Sequence, residues 1–427
     1  MSYRVDALTD AETIAAAVLE SFERLPAKCK PRLASGSSGV SEWVPLAGVV
    51  AEDVRNDSHK IKCIALATGM KCLPEAYLDK AGGSVLHDSH AEVLVLRELN
   101  RLLLEQCLFL IEEQNQHHSA DDLLVEKVPI VDDRPEQIAP FQIRPTVRLH
   151  MYCSECPCGD ASMELVMSRQ ADATPWNSAP LSATSEEPAQ LLGRGHFDQL
   201  GVVRRKPSRP DAPITSSKSC TDKLSLRQYT SLLDGFCSLF IKPQNAYIHQ
   251  VIIPKLDYVQ RSIERAFGPS GRMAQVTSWP EQSGYAYRPF RVSTTTKRFP
   301  FSRHDESKPE TARKPSNISC IHFGRTTEVL INGAIQGRKQ GDPRGASTVS
   351  RRSMWILAKR VAELLGAPHI LRILGQPTYG LVKAHEQLHA RREAKARLIE
   401  HILPGWSRNS ADSSWGLMDE APKATPS

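Results

Sequence analysis

Apolar residues along this chain recur with two periods, and the periods predict its elements. From residue 9 to 25, Ile14, Val18, Leu19 and Phe22 fall on one helical face, and Thr9 with Glu12 three positions on marks a capped start. Two β-type apolar runs follow, Val44 to Ala51 and Ile61 to Thr68. Polar Asn56-Asp57-Ser58 between them predicts a hairpin. A long apolar helix is expected to carry His90 and run to about Glu113. Val147 to Tyr152 predicts a strand leading into Pro157-Cys158, and Asp160 to Met167 a short helix. Further strands are expected over Phe236 to Ile241, Ala246 to Ile253 and Glu328 to Asn332. Further helices are expected over Asp257 to Phe267, Ser350 to Leu365 and Tyr379 to Ile402.

Between these elements, residues 169–193 are rich in Ala, Ser, Pro and Thr, and residues 299–317 in Pro, Lys and Ser. Both read as disordered insertions in one domain spanning residues 1–407, with 408–427 as a polar tail. No internal repeat is visible. Of 427 residues, 41% are hydrophobic, enough for a sizeable core. The net charge of +6 suits RNA without demonstrating that it is bound. No apolar run approaches the ~18 residues of a membrane span, and Met1-Ser2-Tyr3-Arg4-Val5-Asp6 does not begin a secretory signal. Ten unevenly spaced cysteines suggest reduced thiols and an intracellular protein of the nucleus, the cytoplasm or both. Oligomeric state is not legible.

The chemistry starts at His90-Ala91-Glu92, followed later by Pro157-Cys158. H-x-E with a later P-C begins the zinc deaminase signature, in which His and Cys hold the metal and Glu shuttles protons. His90 and Glu92 are about 200° apart on a regular helix, so they converge only across a helix N-terminus, which Asp88 or Ser89 can cap. The usual second thiolate of P-C-x-x-C is missing, because position 161 is Ala161. The third ligand must come from elsewhere, and Cys220 in Ser219-Cys220-Thr221-Asp222-Lys223 is the candidate. Cys153, Cys156 and Cys158 form C-x-x-C-x-C, but no second C-x-x-C completes a separate structural zinc site. The other cysteines read as small buried apolar residues.

This arrangement of H-A-E, P-C-G-D-A and a distant S-C-T-D-K resembles the adenosine deaminases that act on RNA. Leu46-Ala47-Gly48-Val49-Val50, Ala67-Thr68-Gly69-Met70-Lys71-Cys72, Ala394-Lys395-Ala396-Arg397-Leu398 and Gly405-Trp406 extend the resemblance from about Trp43 to Trp406. With no further RNA-binding module among the motifs, it narrows to the family's eukaryotic tRNA branch. The resemblance implies an α/β fold: a cytidine-deaminase-like three-layer α/β/α core with a mixed central sheet, enlarged by C-terminal helices. It implies zinc held by His90, Cys158 and Cys220, with Glu92 as the catalytic proton shuttle. The implied reaction is hydrolytic deamination of adenosine to inosine at position 37, in the anticodon loop of alanine tRNA, with no membrane or DNA partner. The base must be unstacked into the pocket.

The resemblance also implies a buried inositol hexakisphosphate (1D-myo-inositol hexakisphosphate), with Arg97, Lys223, Tyr379, Lys383, Lys395 and Trp406 at the matching positions. Arg97 is the odd residue of its apolar helix face and needs a partner there. Without the resemblance, Lys383 and Lys395 read equally well as a solvated face. Leu226, Met354 and Asn409 depart from the family's basic residues, and His389 and Arg391 are left unassigned. Candidate RNA contacts are Gly69, Lys71 and the basic run Arg204-Arg205-Lys206-Pro207-Ser208-Arg209, which otherwise reads as a solvated loop. Three alternatives stay open: a free-nucleoside or cytidine deaminase, an editor of double-stranded or messenger RNA, and a catalytically inactive RNA-binding scaffold. The missing P-C-x-x-C and the long chain weigh against the first, the lack of a double-stranded-RNA module against the second, and intact Glu92 against the third.

Overall fold

The computed structural model describes residues 9–33, 40–55, 59–112, 123–128, 139–169, 191–193, 197, 199–206, 212–303, 313–407 and 411–417. Helix α1 (Ala11–Glu23) is capped by Asp10, whose carboxylate accepts the Thr13 N–H at 3.0 Å. Strands β1 (Leu46–Asp53) and β2 (Lys60–Thr68) pair antiparallel, as the two apolar runs predict. Short β3 (Met70–Cys72) and β4 (Asp88–His90) form their own antiparallel pair, and α2 (Ala91–Glu112) starts where β4 ends. There follow β5 (Val147–Cys153), α3 (Met163–Ser168), α4 (Cys220–Thr230), β6 (Ile248–Pro254), α5 (Gln260–Phe267), β7 (Arg291–Thr295), β8 (Ile318–Phe323), β9 (Thr326–Ile331) and β10 (Ala334–Ile335). Helices α6 (Arg351–Leu365), α7 (Pro368–Leu374), α8 (Tyr379–Ala384) and α9 (His389–Ile402) close the fold.

The main sheet has the order β7-β6-β5-β1-β2-β8-β9-β10. It is mixed: β6 runs parallel to β5 and β7, while the pairs from β5–β1 to β9–β10 are antiparallel. Alternation along β1 sorts its side chains. Ala47, Val49 and Ala51 join the core containing α2 and α6, whereas Leu46 and Val50 pack with Ile14, Val18 and Phe22 of α1. A helix therefore lies on each face, giving the three layers. Gly48 permits this approach, because a Cβ there would lie 2.5 Å from Val18.

Several elements differ from the pattern-based expectation. Phe236 to Ile241 is no core strand. Asp234 accepts the N–H groups of Phe236 and Cys237, both at 2.9 Å, and so turns the chain at Cys237–Leu239. Only Ile241–Lys242 then pairs, in a small separate sheet with Phe141–Gln142. The helix expected over Tyr379 to Ile402 is broken at His385, whose φ/ψ of −57/144° is extended and whose ring accepts the Gln387 N–H at 3.3 Å. Residues 299–317 are not wholly an insertion. Phe299 and Phe301 are buried against Phe22, and Lys314–Pro315 pairs with Glu42–Trp43. Residues 304–312 and most of 169–193 lie outside the described residues. Residues 411–417, expected in a polar tail, dock on the core: Trp415 is buried and stacks on Tyr379 at 5.0 Å, and Asp412 pairs with His87 at 2.9 Å and Arg351 at 2.7 Å.

Candidate active site

Three chain segments meet beneath one cavity. His90 ends β4 directly before the first turn of α2, which puts His90 and Glu92 on opposite sides of a helix start, as their spacing demands. Cys158 sits in the turn after β5, where Gly159 at φ 109° redirects the chain into the 3-10 turn Asp160–Ser162. Cys220 is the first residue of α4, behind Ser219, whose hydroxyl accepts the Asp222 N–H at 3.1 Å. The Thr221 hydroxyl ties the last two segments together by donating to Pro157 O at 3.0 Å.

The donor atoms are close. His90 Nδ1 lies 3.7 Å from Cys220 Sγ and 3.9 Å from Cys158 Sγ, and the Cys220 N–H donates to Cys158 Sγ at 3.4 Å. A zinc tetrahedron with ~2.0–2.3 Å bonds has edges of about 3.3–3.8 Å, close to the two N–S separations, and the three donor atoms all lie within 4.8 Å of one another, so the set suits that ion with a fourth position for water. The Cys158 thiol is held well below its usual range, first by its hydrogen bond with Cys220 and then by Lys206 and His90. Glu92 stands beside the triangle. It is buried, and its Oε2 accepts no hydrogen bond from a described residue. Burial, reinforced by Cys158, raises its carboxyl above the ordinary value. An unpartnered buried carboxylate oxygen beside a set of metal donors is a group suited to move a proton.

Lys206 is the residue the sequence reading did not separate from its basic neighbours. Its ammonium donates to Asp88 at 2.9 Å and to Cys220 Sγ at 3.4 Å, while Lys223 also pairs with Asp88. Burial alone would raise the Asp88 carboxyl, but the two lysines hold it well below its usual range. Asp88 in turn accepts the His90 N–H at 3.0 Å. Cys72, Asp88 and His90 form a second cluster of possible metal donors, but with Asp88 held by two ammonium groups this set orients His90 instead.

The other expected residues divide. Lys71 lines the cavity of about 700 Å³ above the triangle. Gly69 does not. At φ +146° its position would put a Cβ 2.1 Å from Ser89 O, so its smallness lets β3 run against β4. Arg204 is wholly buried and donates to Gly193 O at 3.2 Å and Gln199 O at 2.5 Å; Arg205 donates to Thr215 O at 2.7 Å and pairs with Glu75 at 3.0 Å. Both arginines are buried and brace the site's flanking segment, not an exposed loop, and both also line the cavity with Lys71; Pro207, Ser208 and Arg209 lie outside the described residues.

On the far side of α2, basic groups from five helices, α2, α4, α6, α8 and α9, crowd together. The Lys383 ammonium lies 5.4 Å from the Tyr379 ring and that of Lys395 5.6 Å from the Trp406 ring. Arg97 donates to Val349 O at 3.2 Å. Burial and its cationic neighbours Arg391, Lys383, Arg227 and Lys218 push Lys395 down to about 7. Burial, Arg391 and Arg97 push Arg227 down to about 10. Leu226 and Met354 belong to apolar clusters, and the basic groups at this place are Arg227 and Arg391 with Arg351 near Arg97. Asn409 lies outside the described residues. Arg227 stands in sequence amid apolar Leu224, Leu226 and Tyr229, one helical turn after Lys223, a weaker form of the signal that singles out Arg97.

Residues 65–410 match the adenosine-deaminase (editase) domain family. The chain is 37% identical to tRNA-specific adenosine deaminase 1 of Schizosaccharomyces pombe, over 93% of this chain and 95% of that protein. It is 34% identical to the Saccharomyces cerevisiae protein of the same name, over 60% and 62% of the two chains. Similarity to the double-stranded RNA-specific editase Adar of Drosophila melanogaster is 25%, over 88% of this chain and 50% of that one.

Proposed function

Because the chain belongs to the adenosine-deaminase (editase) family and is an adenosine deaminase, we propose that its substrate is adenosine-37, beside the anticodon of alanine tRNA. The near-full-length similarity to a protein named for tRNA supports this choice over double-stranded RNA. The observation that carries the chemistry is the unpartnered Oε2 of buried Glu92 next to the His90, Cys158 and Cys220 donors.

His90 Nδ1 and the two thiolates would hold one zinc ion, and when bound it supplies Lewis acidity that brings ionisation of a water toward neutral pH. Glu92 accepts a proton from the attacking water as a C6–O bond forms on adenine. It passes that proton to N1, then takes the remaining proton from the new C6 hydroxyl and delivers it to the leaving amine; the C6–N6 bond breaks as the C6 carbonyl forms, and inosine and ammonia result. Lys206 and Lys223 fix Asp88, and Asp88 fixes the His90 backbone, so the ligand and the shuttle keep their relative position. The cavity's Lys71 offers a charge for a flanking phosphate.

We also propose inositol hexakisphosphate as the counter-ion of the cluster formed by Arg97, Lys223, Arg227, Lys383, Arg391 and Lys395, with Tyr379 and Trp406 at its edge. The support is the mutual repulsion of these crowded, mostly half-buried cations, seen in the depressed Lys395 and Arg227. Incubating purified protein with an unmodified tRNA pool and sequencing the inosines tests the substrate. Inosine at position 37 of alanine tRNA is expected, and inosine confined to double-stranded RNA or to free nucleoside would overturn the reading. Mass spectrometry of denatured protein should release one polyphosphate per chain; active protein without one removes the anion.

A further inference from the structure

The cavity has a second wall, away from the zinc donors, that the chemistry leaves unused. It is built from residues 42–45, 300–303 and 313–315. Trp43 is the one Trp, Tyr or Phe among the described residues that line the cavity. Its ring is half-buried, and the Arg303 guanidinium lies 5.5 Å from the ring centroid. Arg303 is exposed, while its backbone N–H donates to Glu155 at 3.2 Å on the same wall.

The wall is rigid. Glu42–Trp43 pairs in parallel with Lys314–Pro315, the Ser316 N–H donates to Trp43 O at 2.9 Å, and the Val44 N–H donates to Phe301 O at 3.0 Å. Glu42 and Lys314 form an ion pair at 3.6 Å, and the Arg313 guanidinium donates to Ser302 O at 2.6 Å. Phe299 and Phe301 anchor the segment beneath α1. An aromatic face with an adjacent guanidinium, on a bonded segment lining a cavity, is the arrangement that stacks single-stranded bases. A nucleotide drawn out of its stack leaves each neighbouring base short of a partner, and such a face at the mouth replaces it.

We propose that Trp43, with Arg303 beside it, stacks a nucleobase adjacent to the target adenosine and so helps to hold the extruded nucleotide. The inference rests on the RNA-deaminase reading above. It makes Trp43 a residue that binds the substrate's neighbour and leaves the reacting atoms to Glu92.

The test is a cycle between protein and substrate. Wild type, Trp43→Ala, Trp43→Phe and Arg303→Ala are assayed on full-length alanine tRNA and on the same tRNA with an abasic site immediately before or after the target. Trp43→Ala should lower kcat/KM about ten-fold on intact tRNA, mostly through KM, because one base–aromatic stack has about that worth. An abasic neighbour on one side should cost wild type a similar factor and cost Trp43→Ala almost nothing further. Trp43→Phe should recover most of the loss. Arg303→Ala, at an exposed position, should weaken binding with a shallower salt dependence. Zinc content and melting temperature of each variant separate lost contact from lost fold. Losses that multiply independently at both neighbouring positions overturn the platform while leaving the tRNA reading intact. Wild type inactive on intact tRNA overturns both.

Discussion

Arg204 and Glu92 are both buried charges, handled in opposite ways. Arg204 donates from both terminal guanidinium nitrogens to backbone carbonyls, whereas the Glu92 Oε2 accepts from no described residue. The first arrangement braces the fold, and the second is what the proposed proton shuttle needs. Glu92→Ala should therefore lower kcat by at least ~10²–10⁴-fold, the usual worth of a general acid–base, while leaving zinc stoichiometry and melting temperature close to wild type. Single-turnover deamination with parallel metal analysis measures this, and near-normal turnover would reject the shuttle role. Arg204→Ala should behave conversely. It strands carbonyls that have lost their donor, a destabilisation of about 2–3 kcal/mol by denaturant titration, with KM for tRNA unchanged in the folded fraction. A raised KM with unchanged stability would instead return Arg204 to the substrate.

Among the elements, the break in the C-terminal helical run matters most. With the run interrupted at His385, Tyr379 on α8 can stack on Trp415 while Lys395 on α9 lies over Trp406. Continuous helix would fix both faces to one axis. The docked segment 411–417 then covers Tyr379, and Asp412 neutralises Arg351 and pairs with His87, whose ring burial drives down to about 4. Trp415→Ala should cost about 3 kcal/mol, the lower end for deleting a large buried aromatic. Chemical denaturation measures it; a change within 0.5 kcal/mol, the ordinary scale for surface positions, would show the segment to be dispensable.

At the scale of the molecule the basic cluster gives a pH signature. Lys395 is depressed in the folded protein to about 7 from a model-peptide value near 10.5, by burial and by Arg391, Lys383, Arg227 and Lys218. Between these values the unfolded chain binds more protons than the folded one, so stability of anion-free protein should rise as pH increases from about 7 toward 10. A polyphosphate that pairs with the cluster restores the folded-state proton, removing that slope and raising stability most at the lower end. Melting curves across this range, with and without added inositol hexakisphosphate, test the sign; a stability that falls with pH in anion-free protein, or is indifferent to the anion, would contradict it.

Local rules reached much of this molecule from the sequence. Periodicity found α1, the β1–β2 hairpin, α2, β5 and α6, because each buries one face and the face repeats with the element's own pitch. The spacing of His90 and Glu92 across a helix start was equally local. So was the vacancy at Ala161, which required a ligand from a distant segment. Strand β8 was missed because Ser319, Cys320 and His322 dilute its alternation, although it is central to the sheet. The start of α4 had a readable cap in Ser219 with Asp222, but nothing local said that Cys220 would reach Cys158. Which basic residues are buried depended on the fold alone. Arg204, Arg205 and Lys206 are consecutive, yet two brace the chain and one reaches the Cys220 sulfur. A charge's role is set by its partner, and these partners are 5 to 130 residues away in sequence, so only packing could assign them.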